Sequence, residues 1–319
     1  MNHNIIRIGT RDSQLALWQT QKVQQLLEAV GYATTLVPVK SEGDLDLVTP
    51  LYAMGVQGVF TKTLDAYLLS NRIDIAVHSM KDVPTQLAKG IVQAAVLPRA
   101  DTHDILVLKK ENWHRDNAGN WERNATDNRP FHIGTGSVRR KAQWLNRYPH
   151  SHIDNLRGNV QTRLRKLEEN NWDGAIFAAA GLDRMALIPD GHIALDWMLP
   201  APAQGAIMVV CRTEDTSTKQ CCLTMNDEAT AFCTKIERDF LRTLMGGCST
   251  PIGAHAYIHD EKIIFKGNIL SPDGKHKREI TLEQRYGHNS QLGIVAAQKL
   301  LAEGVATIID EIRKFEQSN

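Results

Sequence analysis

The pattern of apolar and polar residues predicts alternating strands and helices over the first two thirds of the chain. Asn4 to Ile8, Thr35 to Val39 and Ile73 to Val77 are short, apolar and rich in β-branched residues, which is typical of buried strands in a parallel sheet. Amphipathic helices separate them, and the same alternation resumes between Asp104 and Ala178. Gly205 to Cys211 is a further apolar run, which we expect to return to the first sheet.

The last third of the chain has a different pattern. Phe232, Ile236, Phe240 and Leu244 recur four apart and predict an amphipathic helix. Three alternating strands and a closing helix over Ser290 to Phe315 follow it. Before it, Thr213 to Asp227 is polar and rich in serine and threonine, and we interpret this stretch as a linker.

These patterns predict an α/β protein with two doubly wound domains and a smaller α+β C-terminal domain. Domain 1 is expected to comprise residues 1–98 and 200–224, domain 2 residues 99–199, and domain 3 residues 225–319. The two α/β domains should meet at a cleft.

Two long segments have weak hydrophobic periodicity. Ser41 to Phe60 contains several glycines, and we interpret it as a lid over the cleft. Lys109 to Pro130 is polar and predicts a surface excursion.

Composition limits the kinds of partner. The 319-residue chain has a formal net charge of +1, which argues against general binding of nucleic acid or anionic membranes. The N-terminus has no apolar core of signal-peptide length, and no apolar run approaches the ~18 residues that span a bilayer. Five cysteines without zinc spacing indicate reduced thiols and no metal site. We therefore expect a cytoplasmic protein, and we expect it to be a monomer.

The strand Ile73 to Val77 is followed at once by polar residues. Lys81 and Asp82 lie just beyond it, before Pro84. Ligands of open α/β sheets bind beyond the carboxyl ends of the strands, so an ammonium and a carboxylate are well placed there for chemistry. The alternative is a solvated turn at the end of a strand.

Arginines are concentrated in the second α/β unit, and several occur where a strand gives way to a helix. Guanidinium groups bind carboxylate or phosphate through paired hydrogen bonds, and helix N-termini favour anions, so these arginines indicate a polyanionic ligand. Solvated helix faces are the alternative, which we favour for Arg147 and Arg165. The candidates are Arg139, Arg140, Arg157, Arg163 and Arg184.

Cys248 lies in the segment Gly246-Gly-Cys-Ser-Thr-Pro-Ile-Gly253, after the predicted end of a helix. A thiol on such a loop suits a nucleophile or a covalent attachment point, although a lone cysteine is more often inert.

Four motifs in order resemble the porphobilinogen deaminase family, also called hydroxymethylbilane synthase. The resemblance covers nearly the whole chain from Arg7-Ile-Gly-Thr-Arg11 onward. The motifs are His78-Ser-Met-Lys-Asp-Val-Pro84, Gly134-Thr-Gly-Ser-Val-Arg-Arg140, Leu156-Arg-Gly-Asn-Val160 and the Gly246 to Gly253 segment.

The resemblance implies a known reaction and cofactor. The first two domains should be similar to periplasmic binding proteins, and a dipyrromethane cofactor should be joined to Cys248 by a thioether. Such enzymes link four porphobilinogen molecules head to tail, release ammonia at each step and then release hydroxymethylbilane for tetrapyrrole (haem-type) biosynthesis. Loss of ammonia leaves a cation, which the carboxylate of Asp82 would stabilise.

The resemblance also assigns site residues. Cofactor binding is implied for Arg11, Ser13, Lys81, Thr135, Ser137, Arg139, Arg140 and Asn159, and substrate binding for Arg11, Arg157, Arg163 and Arg184. Three positions depart from the pattern. Ala53 and Gln57 stand where many relatives carry lysines, and Gly136 stands where serine is common.

A binding module of another class is the competing hypothesis. A two-lobed anion receptor would share the two α/β units, but it would leave the third domain and the Gly-Gly-Cys loop unexplained. The mass of the intact purified protein separates the two hypotheses, because a receptor should match its sequence mass.

Overall fold

A computed structural model describes residues 5–40, 61–124, 129–244, 247, 250–287 and 291–317. The predicted lid from Ser41 to Phe60, with Ala53 and Gln57, lies outside the described residues, as does Cys248.

Strands and helices alternate through the first two thirds of the described chain, as the apolar pattern predicts. The strands are β1 (Ile6–Arg11), β2 (Thr34–Val39), β3 (Ile75–Ser79), β4 (Ile91–Val96), β5 (Asp104–Leu108), β6 (Trp113–Arg115), β7 (Trp121–Arg123), β8 (His132–Gly134), β9 (His152–Asp154), β10 (Gly174–Ala178), β11 (His192–Ala194), β12 (Ile207–Arg212), β13 (Ile252–His259), β14 (Lys262–Leu270) and β15 (Lys277–Arg285). The helices are α1 (Gln14–Ala29), α2 (Lys62–Leu69), α3 (Val138–Arg147), α4 (Val160–Glu169), α5 (Ala179–Asp183), α6 (Thr216–Leu223), α7 (Glu228–Thr243), α8 (Leu292–Ala302) and α9 (Ala306–Gln317).

The first sheet has the strand order β2-β1-β3-β12-β4. β1 is parallel to β2 and β3, whereas β12 is antiparallel to both β3 and β4, because the chain returns to this sheet from the second unit. Val23 and Leu27 of α1 pack on one face of the sheet, and Leu64 and Leu68 of α2 pack on the other. Helices therefore cover both faces, which lets the central strands be apolar on both sides.

The second sheet has the order β11-β5-β10-β8-β9 and is built in the same way. β8, β9 and β10 are parallel, while β5 runs antiparallel to β10 and β11. Leu167 of α4 packs on one face and Trp144 of α3 on the other. Both sheets therefore contain parallel and antiparallel strands, whereas the alternation of strands and helices predicted purely parallel sheets.

The third unit is an antiparallel sheet, β13-β14-β15, covered by α7, α8 and α9. Phe240 of α7 and Phe265 of β14 meet edge to face at 5.1 Å in its core. The predicted fold class, two doubly wound α/β units and a smaller α+β unit, is confirmed. The exact residue boundaries of the three domains stay predictions.

Two predictions made from the pattern are wrong in detail. The stretch taken for a linker contains α6, which Asp215 caps by accepting a hydrogen bond from the Thr218 amide at 3.0 Å. The closing helix is in fact two helices, α8 and α9, which meet at 96°. Gly304, between them, has a φ of +86°, which stops the first helix.

The polar excursion is also more ordered than its composition suggests. Its hairpin, β6-β7, is anchored by the indole of Trp113, which donates to the Asp173 carbonyl at 2.8 Å. Among the described helices, no single one is long and apolar enough to cross a membrane, and only the bent pair α8 and α9 satisfies length and composition jointly.

Two crossing segments connect the first two units and run side by side. The Ala100 amide donates to the Gly205 carbonyl at 3.1 Å, and the Arg99 Nε donates to the Gln204 carbonyl at 2.8 Å. Glu237 of α7 binds both segments, since it pairs with Arg99 at 2.6 Å and accepts from the Ala203 amide at 2.6 Å. The third unit is therefore bound, through Glu237, to the segments that connect the other two units.

Candidate active site

A cavity of about 560 Å³ lies where the three units meet. Its wall includes the ends of β1 and β3, the first turns of α1, α3 and α4, and Leu241, Thr250 and Ile252 of the third unit. Its volume lies within the range of about 300–1,000 Å³ that is usual for small-molecule and cofactor sites.

The first unit contributes a carboxylate and an ammonium to this wall. Lys81 and Asp82 lie on a 3₁₀ turn, Met80–Asp82, immediately after β3, so the strand end places both side chains at the cavity. Burial, together with the nearby Arg140 guanidinium, lowers the pKa of Lys81 to about 8. His78, within β3, is buried, and burial followed by the charge of Arg11 lowers its pKa to about 4, so it is neutral at physiological pH.

Three predicted residues are N-caps of helices that begin at the cavity. Ser13 accepts from the Ala16 amide at 3.3 Å, Ser137 from the Arg140 amide at 3.4 Å, and Asn159 from the Thr162 amide at 2.9 Å. Helix N-termini attract anions, and three of them face the same cavity here.

The arginine pair on α3 is held from behind by one buried carboxylate. Asp104, at the start of β5, lies 2.8 Å from Arg139 Nη2 and 2.7 Å from Arg140 Nη2. Although burial alone would raise the pKa of Asp104, the two guanidinium groups hold it well below its usual range. The two guanidinium groups carry two positive charges and Asp104 carries one negative charge, so a net charge of about +1 remains in the cavity wall.

Arg139 has donor capacity left over. Its Nη1 donates to the Leu199 carbonyl at 2.6 Å, whereas its Nε is buried with no hydrogen-bond partner among the described residues. A buried guanidinium nitrogen without a partner is costly, and an anionic ligand would relieve that cost.

The remaining predicted cations of the wall come from both α/β units. Arg11 ends β1, Arg157 precedes α4, and Arg163 lies on α4 with its Nε bound to the Gly158 carbonyl at 2.7 Å. Burial, then the charges of Arg140 and Arg157, lower the pKa of Arg163 to about 10. This mutual repulsion is what a site prepared for several carboxylates would show.

Two predicted residues do not line the cavity. The Thr135 hydroxyl accepts from the Ser137 amide at 3.3 Å, beneath the start of α3. Arg184 donates to the Gly205 carbonyl at 2.6 Å and lies 5.8 Å from the Trp18 ring centroid. Their predicted ligand roles stay predictions, and so does the role of Cys248, whose neighbours Gly247 and Thr250 line the cavity.

Sequence reasoning missed three polar residues that support the site. Asp104 and Gln204 are fully buried behind the arginine pair, and Gln19, also buried, donates to the Ser79 hydroxyl at 2.9 Å. The sequence did contain a signal for Asp104. It is a carboxylate at the first position of the apolar strand Asp104-Ile-Leu-Val-Leu108, and a buried charge needs a partner.

The departure at Gly136 has a steric reason. A Cβ at this position would lie 2.5 Å from the Leu156 carbonyl oxygen, which is backbone and cannot turn away. The loop before α3 therefore packs against the Leu156 segment at a distance that only glycine permits.

We expect Gly136→Ser to displace this loop and the first turn of α3. Overpacking of this kind typically costs about 1–3 kcal/mol, so the free energy of unfolding in urea should fall by that amount. Gly287→Ser is the matched control, because Gly287 is exposed and a Cβ there would meet nothing within 4 Å. An unchanged stability of Gly136→Ser would show that the loop accommodates a side chain.

Two family models match the chain. Residues 6–220 match "Porphobilinogen deaminase, dipyromethane cofactor binding domain", and residues 231–302 match "Porphobilinogen deaminase, C-terminal domain". The chain belongs to the porphobilinogen deaminase family. The family predicted from the motifs is thereby confirmed, and with it the predicted transferase activity, tetrapyrrole biosynthesis and the dipyrromethane cofactor.

Individual proteins agree with the family models. The porphobilinogen deaminase of Syntrophotalea carbinolica is 39% identical, and the match covers 97% of this chain and 96% of that one. The porphobilinogen deaminase of Acidithiobacillus ferrooxidans is 37% identical over 98% of this chain and 99% of its own.

A solved structure of a probable amino-acid ABC transporter extracellular-binding protein, ytmK of Bacillus subtilis, shares 13% identity with a TM-score of 0.40. The match covers 69% of this chain and 90% of that one.

Proposed function

We propose that the cavity carries out the porphobilinogen deaminase reaction with Asp82 as its catalytic carboxylate. The observation that carries this proposal is the charge of the wall. Among the described residues it contains seven arginine and lysine side chains but only the carboxylates of Asp12 and Asp82. An anionic ligand is thus held by the cations, while Asp82 supplies a negative charge for the cation that forms when ammonia leaves the substrate.

The residues present fit a dipyrromethane cofactor, which carries several carboxylates. Convergent guanidinium groups, three helix N-termini and the unpartnered Nε of Arg139 together favour such a ligand. The residues that would hold it are Arg11, Ser13, Lys81, Thr135, Ser137, Arg139, Arg140 and Asn159, with Cys248 as the attachment point. When bound, the cofactor supplies a covalently fixed pyrrole to which the first substrate is joined.

Substrate carboxylates would be bound by the remaining arginines. Arg157 and Arg163 lie in the wall near the N-terminus of α4, and Arg11 faces them from the first unit. Arg184, at the junction of the two units, would act from outside the present wall. Each guanidinium offers paired donors, which suits the planar carboxylates of the substrate better than a lysine would.

We propose further that the enzyme acts as a monomer in the cytoplasm and binds neither nucleic acid nor membranes. Its near-neutral net charge of +1 supports this for the chain as a whole, because the excess of cations is confined to the cavity.

Three of the four described cysteines are unsuited to covalent attachment, which supports Cys248 as the attachment point. A thiolate is the reactive form of cysteine, and burial raises the pKa of Cys233 to about 12 and also raises that of Cys222 and Cys211. These thiols are therefore poor nucleophiles.

We predict that peptide mapping of the active protein places the added mass of the cofactor on Cys248. Cys248→Ser should then match its sequence mass and lose turnover, while Cys221→Ser, at a partly exposed cysteine, should keep both cofactor and activity. A fully active protein with unmodified Cys248 would contradict the proposal.

A further inference from the structure

Gln204 lies between the two groups of charges that form the cavity wall. It is 1% exposed and belongs to the second crossing segment, just before β12. Its Oε1 accepts from the Lys81 ammonium at 3.3 Å, and its Nε2 donates to Asp104 Oδ1 at 2.9 Å. One side chain therefore connects the turn that carries Asp82 with the carboxylate that holds the arginine pair.

The orientation of this amide is determined by its neighbours. Besides Asp104, the Nε2 donates to the Thr102 carbonyl at 2.8 Å, so the nitrogen faces two acceptors. The opposite orientation would place the amino group against the Lys81 ammonium and the oxygen against a carboxylate and a carbonyl. The oxygen thus faces Lys81.

The backbone around Gln204 is held in an unusual conformation. Ala203 has a φ of +63° and Gly205 a φ of +86°, and a Cβ at Gly205 would lie 2.6 Å from the Ala100 carbonyl oxygen. A non-glycine residue with positive φ costs of order 1–3 kcal/mol and persists only where its surroundings fix it. Here the Ala203 amide binds Glu237 and the Gln204 carbonyl accepts from Arg99.

Charges from two units face the Lys81 ammonium. Asp82 lies on its own turn, Asp104 lies at the start of β5, and Arg139 and Arg140 lie on α3. Two guanidinium groups repel the ammonium and burial disfavours its charge, so a fixed acceptor such as the Gln204 oxygen helps to keep it protonated and in place.

We infer that Gln204 is a positioning residue, which holds the Lys81 ammonium in the cavity wall and links it to Asp104 and the arginine pair. The inference rests on the proposed function, in which Lys81 binds a cofactor carboxylate beside Asp82. Gln204 also lines the cavity, but its described side-chain hydrogen bonds are to the Lys81 ammonium, Asp104 and the backbone, so we assign its effect to the charged groups that it holds.

The test measures the titration of Lys81 directly. In the full-length Cys248→Ser chain, Lys81 is labelled with acetic anhydride over a range of pH, and its extent of acetylation is read by peptide mass spectrometry. The midpoint should lie near 8. Gln204→Met keeps the length of the side chain but removes the acceptor, so the midpoint should fall by about one pH unit.

A second variant keeps the acceptor. Gln204→Glu places an oxygen against Asp104 and the Thr102 carbonyl, so this acid should stay protonated and donate to them. Its other oxygen still accepts from the ammonium, and the midpoint should stay near that of the original protein. Gln220→Met, at an exposed position of α6, is the matched control and should leave it unchanged. A purely structural role of Gln204 would leave the titration of Lys81 where it is, so an unchanged midpoint in Gln204→Met would overturn the inference, and so would an equal fall of the midpoint in Gln204→Glu.

Activity of the holoenzyme then separates this inference from the proposed function. If the Lys81 ammonium binds a carboxylate during the reaction, turnover should decline as rising pH deprotonates it. This limb should lie above the labelling midpoint, because a bound carboxylate favours the charged ammonium, and it should move to lower pH in Gln204→Met as the midpoint does. A midpoint that moves while the limb stays would support the Gln204 link and refute the proposed role of Lys81.

Discussion

Asp82→Asn is expected to reduce turnover several hundredfold while the covalent cofactor stays attached. The change preserves size but removes the negative charge that we propose stabilises the cation formed when ammonia leaves. A carboxylate about 4 Å from a cation contributes about 4 kcal/mol at an effective dielectric of 20, which corresponds to a factor of several hundred if the interaction is absent from the ground state. The measurements are the rate of hydroxymethylbilane formation, followed as uroporphyrin after cyclisation, and the mass of the intact protein.

Asp12→Asn is the matched control for this prediction. It removes an equal charge from the same wall but at an exposed position after β1, outside the motif that carries Asp82. We expect less than a tenfold effect, because solvent screens an exposed charge. Equal losses in both variants would show that only the overall potential of the cavity matters, and near-normal turnover of Asp82→Asn would place the stabilising charge elsewhere.

Asp104→Asn is expected to have the largest effect on stability. Asp104 is fully buried between Arg139 and Arg140, and its replacement leaves both guanidinium groups without their counter-charge. Removing one partner of a buried ion pair typically costs about 3–5 kcal/mol. Urea denaturation at pH 7, followed by tryptophan fluorescence, should show this loss, whereas Asp190→Asn on the surface should stay within about 0.5 kcal/mol of the original protein.

The pH dependence of this difference has a definite sign. The pKa of Asp104 in the folded state lies below its value of about 3.9 in the unfolded chain, so the carboxylate stabilises the fold fully above about pH 4. That contribution is lost as pH falls towards the folded pKa. The difference in free energy of unfolding between Asp104→Asn and the original protein should therefore be constant from pH 8 to 5 and should become smaller only in acid. A difference that disappeared near neutral pH would contradict the pairing of Asp104 with the two arginines.

The fold was predictable where local pattern determines the outcome. Continuous apolar runs predicted the strands, and the four-residue spacing of Phe232, Ile236 and Phe240 predicted α7. One failure combines a local and a distant contact. The polar stretch after Thr213 forms α6 because Asp215 caps it, which is a local signal that the polar composition obscured, and because Cys222 is buried against the first sheet, which is a distant contact.

The residues of the site were likewise predictable only where the signal is local in the sequence. The motifs predicted Lys81, Asp82 and the arginine pair as site residues, because in these motifs charged residues follow the end of a strand. Asp104 and Gln204 were missed, since their importance arises from a crossing of two segments about 100 residues apart in the chain. Thr135 and Arg184 have the residue types of ligands, yet the hydrogen bonds described for their side chains are to backbone atoms.

The N-cap residues of helices at the cavity differ in charge from those of two helices elsewhere in the protein. Helices that begin at the cavity, α1, α3 and α4, are capped by the uncharged residues Ser13, Ser137 and Asn159, whereas α6 and α7 are capped by Asp215 and Asp227. A negative charge at a helix N-terminus contributes about 0.3–1 kcal/mol, so the three cavity helices forgo that stabilisation. In return, the positive potential of each N-terminus stays available to the ligand. Attempts to raise thermal stability by introducing aspartate caps should therefore avoid these three positions.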